Sequence, residues 1–455
     1  MEKISSNYID NKENDLIELA TKIWESPEVA FTEVNACEWT AELLRKEGFN
    51  VEVGVFGLPT SIRATWGERK PVVGFLGEYD ALPEMSQKAE THKEAIEEGA
   101  PGHACQHNLL GVAHVGAAIG LKKEMEEKGL KGTVVFYGCP AEEVLTGKGF
   151  MAREGAFRDL DAFFAWHPGP INAVSRTLST AVNSFKLHFT GITAHAGGDP
   201  HNGRSALDAI ELTNVGINYL REHVTDDVRM HYTITNGGQA PNIVPDKASA
   251  WYYVRALSRE TVEDVYERMI KVAKGAAMMT ETEVEVEFLG GCYNSLANNV
   301  LADVLKESMD EVEPQKWTEE DIKFAKELEG AKTNSSGMLG GENNKKAYLY
   351  EGPALDLGGE AYASSDVGDA QHIAPGIMFI TATSNIGAAG HSWQNTACGG
   401  MDIGMKGMLY AAKVMANAGK KVLNDTSIVD EAKEEFEKSM NGREYKCPIP
   451  KGLKI

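Results

Sequence analysis

The sequence lacks any apolar run long enough to span a membrane, because charged or polar residues interrupt each hydrophobic segment. Its first twenty residues, MEKISSNYIDNKENDLIELA, are polar and acidic. They have none of the apolar character of a secretory signal peptide. These two absences predict a cytoplasmic protein.

Cysteine is also scarce, with six residues scattered over 455 positions. A disulfide framework would be much denser in cysteine. We therefore expect free thiols in a reducing compartment.

Positive charge is in short supply as well, with 45 Lys and Arg against 67 Asp and Glu and a net charge of −22. Nucleic acids and anionic membranes both select for basic surfaces. The composition argues against either partner, and the acidic surplus is typical of a well-solvated surface.

The chain is longer than a single core usually fills, so two domains are expected. Buried strands alternate with helices in segments such as PVVGFLGEYDALP, GTVVFYGCPAEE and LDAFFAWHPG. This pattern predicts an α/β domain with a mostly parallel sheet covered by helices.

The middle of the chain reads strand, helix, strand, strand, helix, strand, which predicts an inserted α+β module. We expect a catalytic domain formed by residues 1–182 and 293–455, with the module at 183–292. The segment from Glu313 to Asp369 is polar and rich in glycine, with at least one helix, and is predicted to be an elaborated surface excursion.

Chemically useful side chains follow four strands of the larger domain. Sites in open α/β sheets form at the carboxyl ends of strands, so these side chains are expected at one edge. The candidates at these strand ends are Glu78 and Asp80, Glu142 and Glu143, His167, and His391.

The stretch GHACQHNLLG places Cys105 and His107 in a loop that enters a helix, where they could occupy the same edge. Cysteine, histidine and glutamate together suit a borderline divalent metal. A metal pair needs a bridging thiolate or carboxylate, and it can activate water and polarise a carbonyl. Of the adjacent Glu142 and Glu143, one could bind metal while the other transfers the proton.

Eight motifs, GEYDALP, GHACQHNLLG, CPAEE, WHPG, GITAHA, GRSALDA, PNIVP and GHSWQ, occur in this order. In these motifs the chain resembles the di-metal amidohydrolases, which include aminoacylases, hippurate hydrolase and auxin-conjugate hydrolases. The resemblance covers essentially the whole chain. The excursion after Glu313 is similar to that of the aminobenzoyl-glutamate subgroup.

The resemblance implies a role for each candidate. Cys105 would bridge the two metals, Glu142 would be the general base, and Asp80 would orient a histidine ligand. The remaining implied ligands are His107, Glu143, His167 and His391.

The inserted module would then serve as a lid and dimerisation domain. Its His195 would reach the active site of the partner subunit and stabilise the oxyanion. Asn242 and Arg255 would hold the carbonyl or carboxylate of the substrate. A homodimer is implied, possibly with a related A-type subunit.

Simpler interpretations remain open for several residues. Glu142 and Glu143 could begin a solvated acidic helix. Asn242 could form an Asx turn, and Arg255 could be a salt-bridge partner within a strand. Asp366 and Asp369 could cap a turn or helix.

The other histidines have plainer expectations. We expect His114 to be a hydrogen-bonded core residue, His201 to lie at the surface and His103 to have a loop role. The stretch LTGKGF is not a phosphate loop, because Lys148 is followed by glycine. Gln106 stands where the family resemblance predicts glycine, so the metal loop loses backbone freedom.

The sequence therefore predicts a metal-dependent amidohydrolase. It would cleave an amide between an acyl or aroyl group and an amino acid, as in p-aminobenzoyl-glutamate. An aminoacylase or dipeptidase with another substrate is an alternative, as is a non-catalytic metal-holding subunit. The resemblance implies two divalent ions and admits Mn2+, which we favour for activity. Zn2+ is the alternative, because a thiolate ligand favours zinc.

Overall fold

The structure is a computed structural model that describes residues 3–328 and 348–453. Its strands are β1 (Asn50–Val53), β2 (Ile62–Gly67), β3 (Val72–Glu78), β4 (Thr133–Cys139), β5 (Ala162–Gly169), β6 (Ala173–Ser175), β7 (Ala181–Thr190), β8 (Arg229–Asn236), β9 (Lys247–Ala256), β10 (Glu283–Cys292), β11 (Leu355–Leu357) and β12 (Gly376–Ala382).

The remaining described chain contains thirteen α-helices. They are α1 (Ile4–Asn11), α2 (Glu13–Glu25), α3 (Val34–Lys46), α4 (His107–Lys128), α5 (Gly147–Arg153), α6 (Ala206–Leu220), α7 (Arg259–Thr280), α8 (Asn299–Glu311), α9 (Glu319–Leu328), α10 (Val367–Gln371), α11 (Trp393–Gly399), α12 (Asp402–Asn424) and α13 (Ser427–Met440).

The larger sheet has eight strands in the order β1-β2-β4-β3-β5-β12-β6-β11. Its central neighbours β4, β3, β5 and β12 are parallel to one another. Strands β1, β2 and β6 pair antiparallel toward the edges. Every residue of β3 and β4 is buried, as expected for strands covered on both faces. The predicted α/β architecture is confirmed.

Helix α4 is the main support beneath this sheet, and it packs against both α1 and α12. Small residues let these neighbours approach closely, because a Cβ at Gly116 would lie 2.9 Å from the Cβ of Ala412. A Cβ at Gly120 would lie 2.7 Å from Cδ1 of Ile9. The early glycines and alanines of α4 are therefore explained by close packing.

The smaller sheet has four antiparallel strands in the order β10-β7-β9-β8. Helices α6 and α7 cover one of its faces, where Phe185 stacks on Tyr252 with ring centroids 5.5 Å apart. The chain order β7, α6, β8, β9, α7, β10 is the one predicted for the inserted module. The boundaries at 183 and 292 stay a prediction.

The excursion after Glu313 is partly built into the larger domain, which differs from the predicted surface segment. Phe324 and Leu328, one turn apart on α9, are buried against Cys398 and its neighbours. Strand β11 adds to the edge of the large sheet beside β6. Residues 329–347 of this excursion lie outside the described residues. None of the described helices combines the length and apolar character needed to cross a lipid bilayer.

Candidate metal centre

The carboxyl ends of β3, β4 and β5 meet at one edge of the large sheet, because these three strands are parallel neighbours. Glu78 ends β3, and Glu142 and Glu143 lie in the turn that follows β4. His167 lies near the end of β5, and His107 is the first residue of α4. The topology thus gathers side chains from distant parts of the sequence.

The structure brings all five predicted ligands together. Sγ of Cys105 lies 3.3 Å from Nε2 of His167. Nε2 of His391 lies 3.6 Å from Oε2 of Glu143, whose Oε1 lies 4.0 Å from Nε2 of His107. Three overlapping groups have donor atoms within 4.8 Å of one another. They are Cys105–His107–His167, Cys105–Glu143–His391 and Glu78–His107–Glu142.

Asp80 fixes the orientation of this cluster from behind. Its Oδ1 lies 3.0 Å from Nδ1 of His107, and its Oδ2 accepts a 2.9 Å hydrogen bond from the backbone N–H of Glu143. Burial alone would raise the pKa of Asp80, but its hydrogen bond and charge interaction with His107 outweigh this and lower the pKa. An ionised Asp80 keeps a proton on Nδ1 of His107.

The donor set fits a cation. Nε2 of His107 and Oε1 of Glu143 are buried, and neither forms a hydrogen bond of acceptable geometry with any described residue. Buried polar atoms normally form a hydrogen bond, so two buried ligand atoms in one cluster that form none are consistent with a cation as their partner. His167 directs Nδ1 to the carbonyl of Pro168 at 2.7 Å, which leaves its Nε2 facing Cys105.

Glu142 and Glu143 are not a solvated helix start. They lie in a turn, Glu142 is only 7% exposed, and the Glu143 side chain is 7% exposed. Burial, together with the charges of Glu78 and Asp366, raises the pKa of Glu142 well above its usual range. Burial likewise raises the pKa of Glu143 to about 7. Two buried acids with perturbed pKa values are typical of a functional site.

A buried charge network lies directly beneath this cluster, and sequence reasoning missed it. Nζ of Lys148 donates to Oε1 of Glu78 at 2.5 Å and to Oδ1 of Asp366 at 2.6 Å. The side chains of Lys148 and Asp366 are fully buried, and Glu78 is 3% exposed. The other carboxylate oxygen of Glu78 lies 3.4 Å from Nε2 of His107. The single ammonium group of Lys148 thus offsets the charges of two carboxylates beside the cluster.

The capping interpretation of Asp366 and Asp369 is therefore wrong. Asp366 precedes α10 but makes no side-chain cap bond, and its Oδ2 accepts from the backbone N–H of Lys148 at 2.8 Å. Asp369 accepts from the Tyr445 hydroxyl at 2.7 Å and from the backbone N–H of Tyr293 at 3.2 Å. Both carboxylates are used to join distant segments.

Three further histidines, His103, His114 and His201, lie in the environments expected from the sequence. His114 is a core histidine, with Nδ1 2.8 Å from the carbonyl of Leu110 and Nε2 accepting from the backbone of Trp166. His103 is buried in its loop, which lowers its pKa to about 3. His201 is exposed at the surface.

The predicted lid residues are not brought to the cluster in this chain. No described contact joins His195, Asn242 or Arg255 to the predicted metal ligands. His195 and Asn242 are neighbours, because the N–H of Ala196 donates to the carbonyl of Asn242 at 3.0 Å. An Asx turn at Asn242 does not form, since the N–H of Val244 donates to Ala194 instead.

Two local contacts set the chemistry of the lid side chains. Nδ1 of His195 accepts hydrogen bonds from the backbone of Gly197 at 3.1 Å and Gly198 at 2.9 Å, which places the proton of the neutral ring on the exposed Nε2. Arg255 donates to the Ser364 hydroxyl at 3.0 Å and lies 5.3 Å from the ring of Tyr253. It forms no ion pair with a carboxylate of the described residues, so the strand salt-bridge alternative is not observed.

The comparisons with known proteins agree with this architecture. The profile of the peptidase dimerisation domain of the M20 group matches residues 181–278. The chain is 38% identical to the B-type subunit of p-aminobenzoyl-glutamate hydrolase from Escherichia coli, over 96% of this chain and 95% of that protein.

Two solved structures share the fold. An aminobenzoyl-glutamate utilization protein from Klebsiella pneumoniae aligns with a TM-score of 0.64 at 18% identity, covering 92% of this chain and 97% of that one. A dinuclear metal-binding peptidase of the M20 family from Bacillus subtilis aligns with a TM-score of 0.60 at 20% identity, covering 91% of this chain and 99% of that one.

The larger sheet with its clustered acids and histidines, joined to a dimerisation domain, defines the class of this protein as a hydrolase of amide bonds. With 38% identity along nearly its whole length to one member, the chain belongs to the M20 peptidase family.

Proposed function

We propose that this protein is a two-metal amidohydrolase that releases an amino acid with a free carboxylate from an acyl or aroyl group. The observation that carries the proposal is the buried cluster around Cys105, in which Nε2 of His107 and Oε1 of Glu143 form no hydrogen bond of acceptable geometry and Glu142 lies alongside. Pure metal storage has no need of a second buried carboxylate with a raised pKa. This argues against the alternative of a non-catalytic subunit.

Each side chain has a role in this proposal. Cys105 would hold both ions, and Asp80 orients the imidazole of His107. The other ligands are His107, Glu143, His167 and His391. The chemistry that a bound pair of divalent ions supplies is activation of water and polarisation of the substrate carbonyl. Glu142 accepts the proton of the attacking water and returns it to the leaving amine.

The substrate side of the proposal rests on the lid. Arg255 forms no ion pair with a described carboxylate, which leaves its guanidinium available for the carboxylate of a substrate. Asn242 offers an amide for the carbonyl. The relative from E. coli is named for p-aminobenzoyl-glutamate, and we propose the same substrate class here. An aminoacylase or dipeptidase activity is the second candidate within the family.

We also propose a homodimer built through the smaller domain. Apolar side chains on the outward face of α6 are unusually exposed, with Val215 at 50% and Tyr219 at 77%. Met278 and Met279 at the end of α7 are 76% and 67% exposed. Exposed apolar groups of this kind mark protein interfaces. A second, A-type subunit is proposed only because the E. coli hydrolase is named with two subunit types, both similar to this chain.

We also propose which metal ion activates the protein and in which cellular compartment it lies. We favour Mn2+ as the activating ion and Zn2+ as the alternative, since the thiolate of Cys105 would also suit zinc. We place the protein in the cytoplasm, because all six cysteines are unpaired and a reducing compartment keeps thiols in this state.

A substrate panel tests the function. The purified protein is incubated with p-aminobenzoyl-glutamate, N-acyl amino acids and dipeptides, each with added Mn2+ or Zn2+, and the released amino acid is measured. The matched controls are the same compounds with the free carboxylate converted to an amide. We expect release only from the free acids, and Arg255→Ala should remove most of this preference. Equal release from acids and amides would contradict the proposed role of Arg255.

Cys105→Ala is expected to abolish stoichiometric metal binding, because all three donor groups include or adjoin this thiol and no other described sulfur lies among them. The measurement is metal content by elemental analysis after dialysis against a weak chelator. Cys37→Ala is the matched control, since Cys37 is a buried thiol of the core. Unchanged metal content in the Cys105 variant would rule out the proposed bridge.

His195 is expected to act on the active site of the partner subunit. We predict that His195→Ala and Glu142→Ala homodimers are each nearly inactive, whereas co-expressed mixed dimers recover roughly half of wild-type activity, because one of the two sites in each mixed dimer is complete. The measurement uses two affinity tags to isolate the mixed dimer. No recovery in an isolated mixed dimer would mean that His195 does not act across subunits.

A further inference from the structure

Gln106 lies between two predicted metal ligands in a backbone conformation that glycine adopts readily. It is the residue before α4, with φ of 59° in the left-handed region. A residue with a Cβ pays a steric cost there that glycine does not. Such a conformation persists only where the surroundings hold it in place. The surroundings of Gln106 therefore need an explanation.

The side chain of Gln106 is buried and uses its whole amide. Its exposed fraction is 2%. Oε1 accepts a 2.6 Å hydrogen bond from the Thr383 hydroxyl. Nε2 donates to the carbonyl of Asn395 at 2.9 Å and approaches that of Thr383 at 3.5 Å. A buried amide that is bonded through both its oxygen and its nitrogen holds its neighbours in one arrangement.

These bonds join the turn that carries Cys105 and His107 to the segment from Thr383 to Asn395, which carries His391. Thr383 directly follows β12, and Asn395 lies in α11, four residues after His391. His391 is itself in the left-handed region, with φ of 51°, and its side chain is 55% exposed. The segment between Thr383 and Asn395 is thus tied down at both ends by Gln106, while the ligand it carries is only loosely packed.

We propose that Gln106 is a positioning residue that ties the Cys105–His107 turn to the segment carrying His391 and so sets the spacing of the metal ligands. The inference rests on the metal-binding function proposed above. The proposal explains why glutamine occupies a position where glycine would have less backbone strain. The hydrogen bonds of its side chain to Thr383 and Asn395 compensate for the strained φ. Gln106 itself touches neither substrate nor metal in this proposal.

The test compares Gln106→Gly with Gln106→Ala. Both variants lose the bridge, but only glycine relieves the backbone, so Gln106→Gly should keep a thermal unfolding midpoint of the metal-free protein close to wild type while Gln106→Ala unfolds earlier. Both should bind Zn2+ and Mn2+ at least about tenfold more weakly in competition with a chelating indicator. At saturating metal, kcat should fall with little change in KM, because the substrate pocket is untouched.

Two further variants make the result decisive. Gln371→Ala removes another buried glutamine, which is 2% exposed and bonded to Leu296 and Gly376, so it should lower stability without changing metal affinity. Cys105→Ala in the same titration reports whether the cluster is the metal site at all. If Cys105→Ala loses metal while Gln106→Gly keeps wild-type affinity and kcat, the positioning role is wrong. Equal weakening by Gln371→Ala would also overturn it, and metal retained by Cys105→Ala would instead overturn the proposed function.

Discussion

Glu142→Ala is expected to lose nearly all turnover while keeping its bound metal. The carboxylate is buried at the edge of the cluster, 3.9 Å from Nε2 of His107, and burial raises its pKa above the usual range. A carboxylate in this position can accept a proton from water and return it to the leaving amine. General acid–base catalysis by one group contributes about 10²- to 10⁴-fold, so kcat should fall by at least this factor. The measurement is kcat on the substrate identified by the panel, with metal content determined on the same sample.

The adjacent carboxylate provides the matched control. Glu143→Gln should lose metal affinity as well as turnover, because the buried Oε1 of Glu143 forms no hydrogen bond and its Oε2 lies 3.6 Å from Nε2 of His391. Glu142→Gln should keep the metal, as Glu142→Ala does. Full activity in either Glu142 variant would remove the assigned base. Loss of metal from Glu142→Gln would show that the two neighbours have been assigned the wrong way round.

Much of the fold and of the cluster could be predicted from the sequence, because both follow from local patterns. A continuous apolar run such as PVVGFLG indicates a buried parallel strand, and the residues after it must lie at the carboxyl edge. This places Glu78, Glu142 and His167 together without any knowledge of side-chain contacts. The alternating strands of the inserted module were recognisable for the same reason.

The charge network beneath the cluster could not be predicted in this way. Glu78 and Lys148 are 70 residues apart, and Lys148 and Asp366 are 218 residues apart. A lysine in LTGKGF and an aspartate in SSDVGDA each have a polar, glycine-rich surrounding that is typical of an exposed loop. Only the folded arrangement brings their opposite charges into one buried site.

The role of Gln106 could likewise be predicted only in part from the sequence. The glycine that the resemblance predicts at this position would suit the left-handed φ of 59° that the structure gives Gln106. The hydrogen bond to Thr383, 277 residues away, has no local signal at all. His195 shows a different limit of sequence reasoning, because its proposed target belongs to a second subunit.

Lys148→Met is expected to be among the most destabilising single changes in the chain. It removes the lysine partner of both Glu78 and Asp366, whose side chains are only 3% and 0% exposed, and His107 remains beside Glu78. Removing one partner of a buried ion pair typically costs about 3–5 kcal/mol of unfolding free energy. The measurement is the thermal unfolding midpoint of the metal-free protein, which should fall by several degrees or leave no folded protein to isolate. Lys22→Met, which removes an exposed pair with Glu18, should change the midpoint little.

A neutral version of the network separates charge from packing. In the triple variant Glu78→Gln, Lys148→Met and Asp366→Asn, the volumes are nearly kept and no buried charge is left without a partner. Replacing a whole buried ion network by neutral residues is often close to neutral in stability, so the triple variant should unfold later than Lys148→Met alone. A triple variant as unstable as the single one would mean that the lost contacts of the lysine chain, rather than the two stranded carboxylates, carry the cost. Recovery of stability would in turn leave an enzyme whose metal affinity reports what the buried charges do for the cluster above them.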